Sequence, residues 1–166
     1  MSLVIDALWL IFPAYTANAF AVVVKGRRPL DSGRYFGMQR LLGDGKTIEG
    51  TAAGVACGIL VGMLQLYLQP YVQQSMLTLP LVVLLSIGAI TGDILASFLK
   101  RRLGMPRGKS FFPLDQLDFV IGALALSSFV YAYDYRIVII LLLVTPPIHY
   151  LTNVIGYMLR FKKTPW

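Results

Sequence analysis

Long uncharged runs dominate the chain. The first covers 3–24 and is interrupted only by Asp6, and from Gly50 to Gly92 there is no Asp, Glu, Lys or Arg at all. Two further runs, 119–133 and 137–159, are separated by Asp134, Tyr135 and Arg136. A helix that crosses a bilayer needs about 20 apolar residues, so the run from Gly50 to Gly92 is long enough for two. Pro70, Gln73, Gln74, Ser75 and Pro80 punctuate its middle and predict a turn there. The segment between Asp118 and Asp134 is too short to cross about 30 Å of hydrocarbon, but a start near Pro113, a residue suited to a first helical turn, supplies the length. The pattern thus predicts an all-α integral membrane protein with five transmembrane helices near 3–24, 50–69, 80–100, 113–133 and 137–159. These form one transmembrane domain over 1–166, with polar loops at 25–49 and 101–112.

Ala17-Asn18-Ala19 has the small-x-small form of a processing site. No basic residue precedes the first run, however, Asp6 lies inside it, and Lys25, Arg27 and Arg28 follow at once, so a retained helix is expected.

Composition agrees with the pattern: 57% of residues are hydrophobic and 14% charged, against about 25% charged in soluble domains. The net charge of +7 could point to nucleic acid, but the basic residues lie in short clusters between apolar runs, as at an anionic membrane surface, and no nucleic-acid module is recognisable. Their placement also orients the chain. Six Lys/Arg lie in 25–49, five in 100–118 and three in the tail, with only Arg136 on the other side. By the positive-inside rule the N-terminus is outside and the C-terminus cytoplasmic, which an odd number of helices requires. A multi-pass protein of the cell membrane follows, with its polar site on the cytoplasmic side. The single cysteine, Cys57, sits in an apolar run and is read as a packing residue, with neither a disulfide nor a thiolate metal site.

Ionisable residues within a span are costly and mark functional candidates. Asp93, Ser97 and Lys100 are spaced i, i+4, i+7, on one helical face near the cytoplasmic end, and Arg101 follows. Asp115 and Asp118, at i and i+3, share a face of the fourth helix. Two adjacent carboxylates repel unless a cation joins them, and with oxygen ligands only the expected cation is Mg²⁺, with Mn²⁺ an alternative. Asp93, Asp115 and Asp118 are the candidate metal ligands. Gly43-Asp44-Gly45-Lys46-Thr47-Ile48-Glu49-Gly50 leads into the second helix and suits a phosphate-cradling turn, with glycines for close backbone approach, Lys46 for charge and Thr47 for a hydroxyl. It is not a P-loop: Arg40 stands where the first glycine would be, and no strand is expected ahead of it. Gly50, Gly54, Gly58 and Gly62 form a small-xxx-small ridge for close packing, within the chain or between two copies of a homodimer. His149, beside Pro146-Pro147, is expected in a kinked helix as a satisfied histidine, and Asp6 and Asp134 as outer solvated or capping residues.

The candidates Asn18, Asp44, Gly45, Lys46, Thr47, Glu49, Asp93, Ser97, Lys100, Arg101, Asp115 and Asp118 converge on one end of the bundle. Metal-binding carboxylates, cations and adjacent lipid suit phosphoryl or nucleotidyl transfer to a membrane substrate. A transporter would continue its polar groups to the far side.

Lys46-Thr47-Ile48-Glu49-Gly50, Gly92-Asp93 through Ser97 to Lys100-Arg101, and Asp115-Gln116-Leu117-Asp118 resemble the signatures of the CTP:phosphatidate cytidylyltransferase family. Pro106-Arg107 replaces the Lys-Asp pair of the bacterial members, and their His-Gly-Gly is absent. Pro13-Ala14-Tyr15-Thr16-Ala17-Asn18, Pro29-Leu30-Asp31-Ser32-Gly33 and Gly43-Asp44-Gly45-Lys46-Thr47 are similar to the compact archaeal branch, the CDP-archaeol synthases. The resemblance implies transfer of CMP from CTP to unsaturated archaetidic acid, an isoprenoid glycerol-phosphate lipid, with release of pyrophosphate. It implies Asp93, Lys100 and Arg101 as catalytic residues and Lys46, Thr47, Glu49, Gly45, Asp44, Asn18 and Ser97 as nucleotide contacts. Asp31 and Asp44 brace the loop or touch the base. A CTP-dependent polyprenol or phytol kinase, a CDP-diacylglycerol synthase and a small ion-coupled carrier are the alternative readings.

Overall fold

The computed structural model describes residues 3–24, 26–72, 76–106 and 111–160. Five helices follow one another: α1 (Leu3–Val23), α2 (Ile48–Leu68), α3 (Leu79–Arg102), α4 (Leu114–Ser127) and α5 (Tyr135–Met158). Between α1 and α2 lies a small hairpin that the hydropathy pattern does not reveal, β1 (Tyr35–Phe36) antiparallel to β2 (Gln39–Arg40). Its strands are two residues long and mostly polar or exposed, so they leave no alternation to read.

The helix boundaries follow local chemistry. Thr47 caps α2, its hydroxyl accepting the Gly50 N–H at 3.1 Å, so that helix starts before the residue expected to begin it. Pro80 sits in the first turn of α3, where a missing N–H costs nothing. Asp134 caps α5, its carboxylate accepting the Arg136 N–H at 2.9 Å. At the far end, Gln69 holds the turn after α2 by accepting from Leu77 N–H at 2.9 Å and donating to its carbonyl at 3.3 Å. Gln73, Gln74 and Ser75 lie outside the described residues, as do Lys25, Arg107, Lys109, Lys162 and Lys163.

The fourth helix differs from expectation. It stops at Ser127 instead of continuing to 133, and its 14 residues cover only about 21 Å at 1.5 Å per residue. Ser127 and Ser128 turn their hydroxyls back onto the carbonyls of Ala123 and Ala125, at 2.5 and 2.7 Å, and the Ser127 hydroxyl also meets the Tyr133 hydroxyl at 2.5 Å. These bonds offer the chain an alternative to another helical turn. Among the described residues, four helices (α1, α2, α3 and α5) are long and apolar enough to cross a membrane.

Glycines set the packing. A Cβ on Gly54 or Gly58 would meet the backbone carbonyl of Ala17 at 2.6 Å or of Pro13 at 2.8 Å, so the ridge on α2 is spent against α1 within the chain. Gly62 faces the side chain of Val82 on α3. The α3–α4 crossing is closer still. A Cβ on Gly88 would lie 2.6 Å from the Gly122 carbonyl, one on Gly122 would lie 2.6 Å from the Gly92 Cα, and one on Gly92 would strike the Asp118 carbonyl. Around these contacts Leu10, Ile11, Leu81, Leu85, Val120 and Leu141 are fully buried. α5 closes the bundle through Tyr15, whose hydroxyl meets that of Thr145 at 2.8 Å while its ring lies 5.5 Å from that of Phe119. Phe119 in turn packs against the His149 ring at 5.7 Å.

Replacing Gly122 by valine forces the two backbones apart, and overpacking of this kind costs about 1–3 kcal/mol. The expected result is a lower thermal midpoint in detergent, whereas Ile121→Val on the exposed side of α4 should leave it unchanged. Equal midpoints for the two variants would refute the tight crossing.

Candidate active site

The segment that follows α1 is built around one buried carboxylate. Asp31, whose side chain is fully buried, accepts from Arg40 Nη2 at 2.6 Å and from the N–H groups of Gly33, Leu42 and Gly43 at 3.1, 3.1 and 2.9 Å. Gly43 adopts φ 89°, a region that favours glycine, which brings its N–H round to this carboxylate. Burial opposes ionisation of Asp31, but the Arg40 guanidinium and the Gly43, Leu42 and Gly33 N–H groups outweigh it and hold the carboxyl well below the usual carboxylate range. Arg40 also pairs with Asp44. The two ends of the loop are then laced together: Leu30 N–H donates to the Lys46 carbonyl at 2.8 Å, Ile48 N–H to that of Arg28 at 2.9 Å, and Glu49 accepts the Arg28 N–H at 3.3 Å.

This frame aims Lys46 at α3. Its ammonium pairs with Asp93, which lies one residue past the close contact at Gly92. One turn or two further on, Ser97 and Lys100 continue the same face of α3. Lys100 Nζ stands 2.9 Å from both oxygens of Asp115, donating to Oδ2, which also accepts the Phe111 N–H at 3.0 Å. Asp118 is 9% exposed, accepts the Phe119 N–H at 2.6 Å, and lies within electrostatic range of Asp93, Lys46 and Asp115. A small open cleft of about 30 Å³ lies between α1, α2 and α3, lined by Gly45, Lys46, Thr47, Thr51 and Asp93 with Ile90 and Ile94 as its apolar wall. Lys46 and Asp93, distant in sequence, are thus brought together, and so are Lys100 and Asp115.

Other expected contacts are placed differently. The Thr47 hydroxyl is engaged as a helix cap and Glu49 as an acceptor for the preceding loop. Arg101 donates to the Met105 carbonyl, closing the end of α3. Asp44 is exposed beside Arg40. Asn18 is half-buried one turn from Tyr15 on α1, and it does not line the cleft. Arg102 was not singled out by the sequence, yet it donates to the carbonyls of Phe36 at 2.7 Å and Arg40 at 2.9 Å, docking the hairpin on α3. The adjacent Lys100 and Arg101 masked it, since nothing in a run of three basic residues says which one leaves the site.

Oxygen is the only donor type the site offers. Among the described residues no three acids form a ready-made metal cluster, and Asp93 and Asp115 are each engaged by a lysine. Asp115 Oδ1 is nonetheless buried and has no hydrogen-bond partner beyond its ion pair with Lys100, and Asp118 stands near both acids. That donor set fits a hard, oxygen-liganded ion such as Mg²⁺ once the lysines are drawn to a phosphate.

A family model, CarS-like CDP-archaeol synthase, matches residues 1–166. The chain belongs to the CDP-archaeol synthase family. It is 43% identical over 178 residues to a CDP-archaeol synthase of Halorubrum lacusprofundi, covering 99% of this chain and 98% of that one. It is 47% identical over 161 residues to one of Pyrobaculum arsenaticum, covering 95% of each, and 45% over 168 residues to one of Thermococcus onnurineus, covering 100% and 99%. A solved structure described as an intramembrane enzyme for archaeal membrane lipid biosynthesis superposes with a TM-score of 0.83 at 40% identity, over 91% of this chain and 94% of that one. The fold and the apolar helices accordingly make this CDP-archaeol synthase family member a membrane enzyme.

The buried Asp31 gives the loop a pH dependence with a defined sign. The folded chain binds the Asp31 proton more weakly than the unfolded chain does, so its contribution is complete above the unfolded value of about 3.9 and is lost as pH falls toward the depressed folded one. Loop 26–47 should therefore resist limited proteolysis down to about pH 4, and Asp31→Asn should open it at neutral pH. A variant as resistant as the parent would show that the carboxylate does not hold the loop.

Proposed function

We propose that this chain transfers the cytidylyl group of CTP to the phosphate of unsaturated archaetidic acid at the ends of α2, α3 and α4 that meet around Lys46. The observation that carries this reading is the meeting of two lysine–aspartate pairs, Lys46–Asp93 and Lys100–Asp115, beside the buried Asp118. In the reaction an oxygen of the lipid phosphate bonds to the α-phosphorus of CTP, the bond from that phosphorus to the bridging oxygen breaks, and pyrophosphate leaves with the electron pair. The lipid phosphate is already an anion, so no side chain has to remove a proton. Lys46 and Lys100 exchange their carboxylate partners for phosphate oxygens, and their charge offsets what develops on the α-phosphate and the leaving group.

Asp93, Asp115 and Asp118 would hold Mg²⁺, which when bound neutralises phosphate charge and aligns the triphosphate. Thr47 and Glu49 act by fixing the turn that carries Lys46, and Arg101 by closing the turn that carries Lys100. Gly45 and Asp44 border the nucleotide at the mouth of the cleft. Ser97 shares the face of Asp93, and Asn18 stands on the headgroup side of α1. The isoprenoid tails lie between helices, in lipid.

We place the site on the cytoplasmic side, with the N-terminus outside, because fourteen of the fifteen basic residues fall on that side of the five-helix arrangement. α4 with the following 128–134 completes the fourth crossing, Tyr131 and Tyr133 of that segment packing against the hydrophobic core.

CTP labelled at the α- or γ-phosphate, supplied with the prenylated glycerol phosphate and Mg²⁺, tests the chemistry. Label from the α position should appear in the lipid; label from the γ position would identify a kinase, and none in either case would leave a carrier. Asp115→Asn and Asp118→Asn should each lower turnover by about 10²-fold or more, on the scale of losing one transition-state stabilising group, with the thermal midpoint retained. Near-normal turnover would remove the metal assignment.

A further inference from the structure

The hairpin carries a cluster of apolar side chains that the reaction does not use. Tyr35 and Phe36 are each 65% exposed and Met38 is 99% exposed, at the tip formed around Gly37. In a water-facing loop such a cluster is unfavourable, so its surroundings matter.

Those surroundings are fixed by Arg102. Besides its bonds to the Phe36 and Arg40 carbonyls, its guanidinium lies 5.0 Å from the Phe36 ring and 5.2 Å from the Phe98 ring, so the hairpin is stacked onto the last turns of α3. α3 is a candidate membrane span ending at Arg102, which puts the hairpin at the depth where that span leaves the hydrocarbon. The side on which it sits is also defined. Arg102 follows Asp93 by nine residues, about 180° around a helix at roughly 100° per residue. It falls instead on the stripe of Leu95 and Leu99, which are exposed by 56% and 49% and face lipid. The aromatic tip therefore points away from the nucleotide cleft. The exposed Arg34 beside it, and Arg27 and Arg28 on the same loop, add positive charge at the same boundary.

We infer that the tip Tyr35-Phe36-Gly37-Met38 is an interfacial anchor that inserts among the headgroups of the leaflet in which α3 ends. Aromatic and methionine side chains with flanking arginines match that layer, the rings reaching the upper acyl chains and the guanidinium groups pairing with headgroup phosphates. The occupant is the bilayer itself. Since Arg40 and Asp31 join the hairpin to the turn before Lys46, the anchor sets the height of Lys46 relative to the membrane.

The test requires no turnover, so it stands apart from the reaction proposed above. In a Cys57→Ser background, Met38→Cys and, separately, Tyr35→Cys are nitroxide-labelled and reconstituted in vesicles of equal parts phosphatidylglycerol and phosphatidylcholine. Collision of each label with oxygen, which concentrates in lipid, is compared with collision with a water-soluble nickel chelate. Both labels should favour oxygen. A preference for nickel at both sites would place the tip in water and overturn the anchor. Dipolar broadening between labels would overturn it as well, since the tip would then be covered by a second copy of the chain.

Discussion

The site depends on a contact between two backbones. Gly88 and Gly92 of α3 and Gly122 of α4 leave no room for side chains between the helices, and a Cβ on Gly92 would strike the carbonyl of Asp118 itself. In lipid no hydrophobic gain drives one apolar helix against another, so association rests on close packing that small residues permit. This crossing places Asp93, one residue beyond Gly92, opposite Asp118. It also fixes the direction in which α4 runs back from the Lys100–Asp115 pair. If the helices were held apart by even one methyl group, the carboxylates would still be present but no longer confront one another.

Bringing three acids together in a partly buried place costs Coulomb energy that must be offset. Lys46 and Lys100 offset it, each against one acid. They come from different parts of the chain by different routes. Lys100 is delivered by the same helix as Asp93, whereas Lys46 arrives on a loop that must be kept rigid by its own means. Asp31 is that means, since it gathers three N–H groups and Arg40 around one carboxylate, and Arg102 ties the resulting fold to α3. The residues that look like a phosphate-binding sequence, Gly43 to Glu49, thus divide between making the turn and presenting Lys46.

Periodicity and charge made much of this legible. The apolar runs locate all five helices, and the small-xxx-small spacing on α2 identifies the face against α1, because both signals depend only on distance along the chain. The acid pairs could be found because carboxylates at i, i+3 or i, i+4 within an apolar run have few other uses. What the sequence did not disclose depended on unlike segments meeting in space. The end of α4 at Ser127 turns on two serine hydroxyls and Tyr133, and no propensity argument fixes it. Thr47 and Arg101 have the right chemistry for phosphate, yet a backbone N–H and a carbonyl close at hand engage them first. The hairpin and its clamp at Arg102 left no trace in hydropathy, since a two-residue strand has no period.

The asymmetry of the bundle across its thickness bears on what passes through it. Toward the other end, Leu10, Leu81, Val82 and Leu85 are fully buried, and the buried Gln65 there is tied to the backbone of Trp9 at 2.8 Å. A polar route across the membrane would need groups free to solvate an ion at that depth, and the buried Gln65, Ser86 and Ser127 are each bonded to backbone carbonyls instead. The cleft beside Lys46 is therefore open at one end of the bundle and closed by apolar side chains at the other. Such a site can admit a charged nucleotide from water and a lipid from its own leaflet, and it can return a product to that same leaflet without moving anything across.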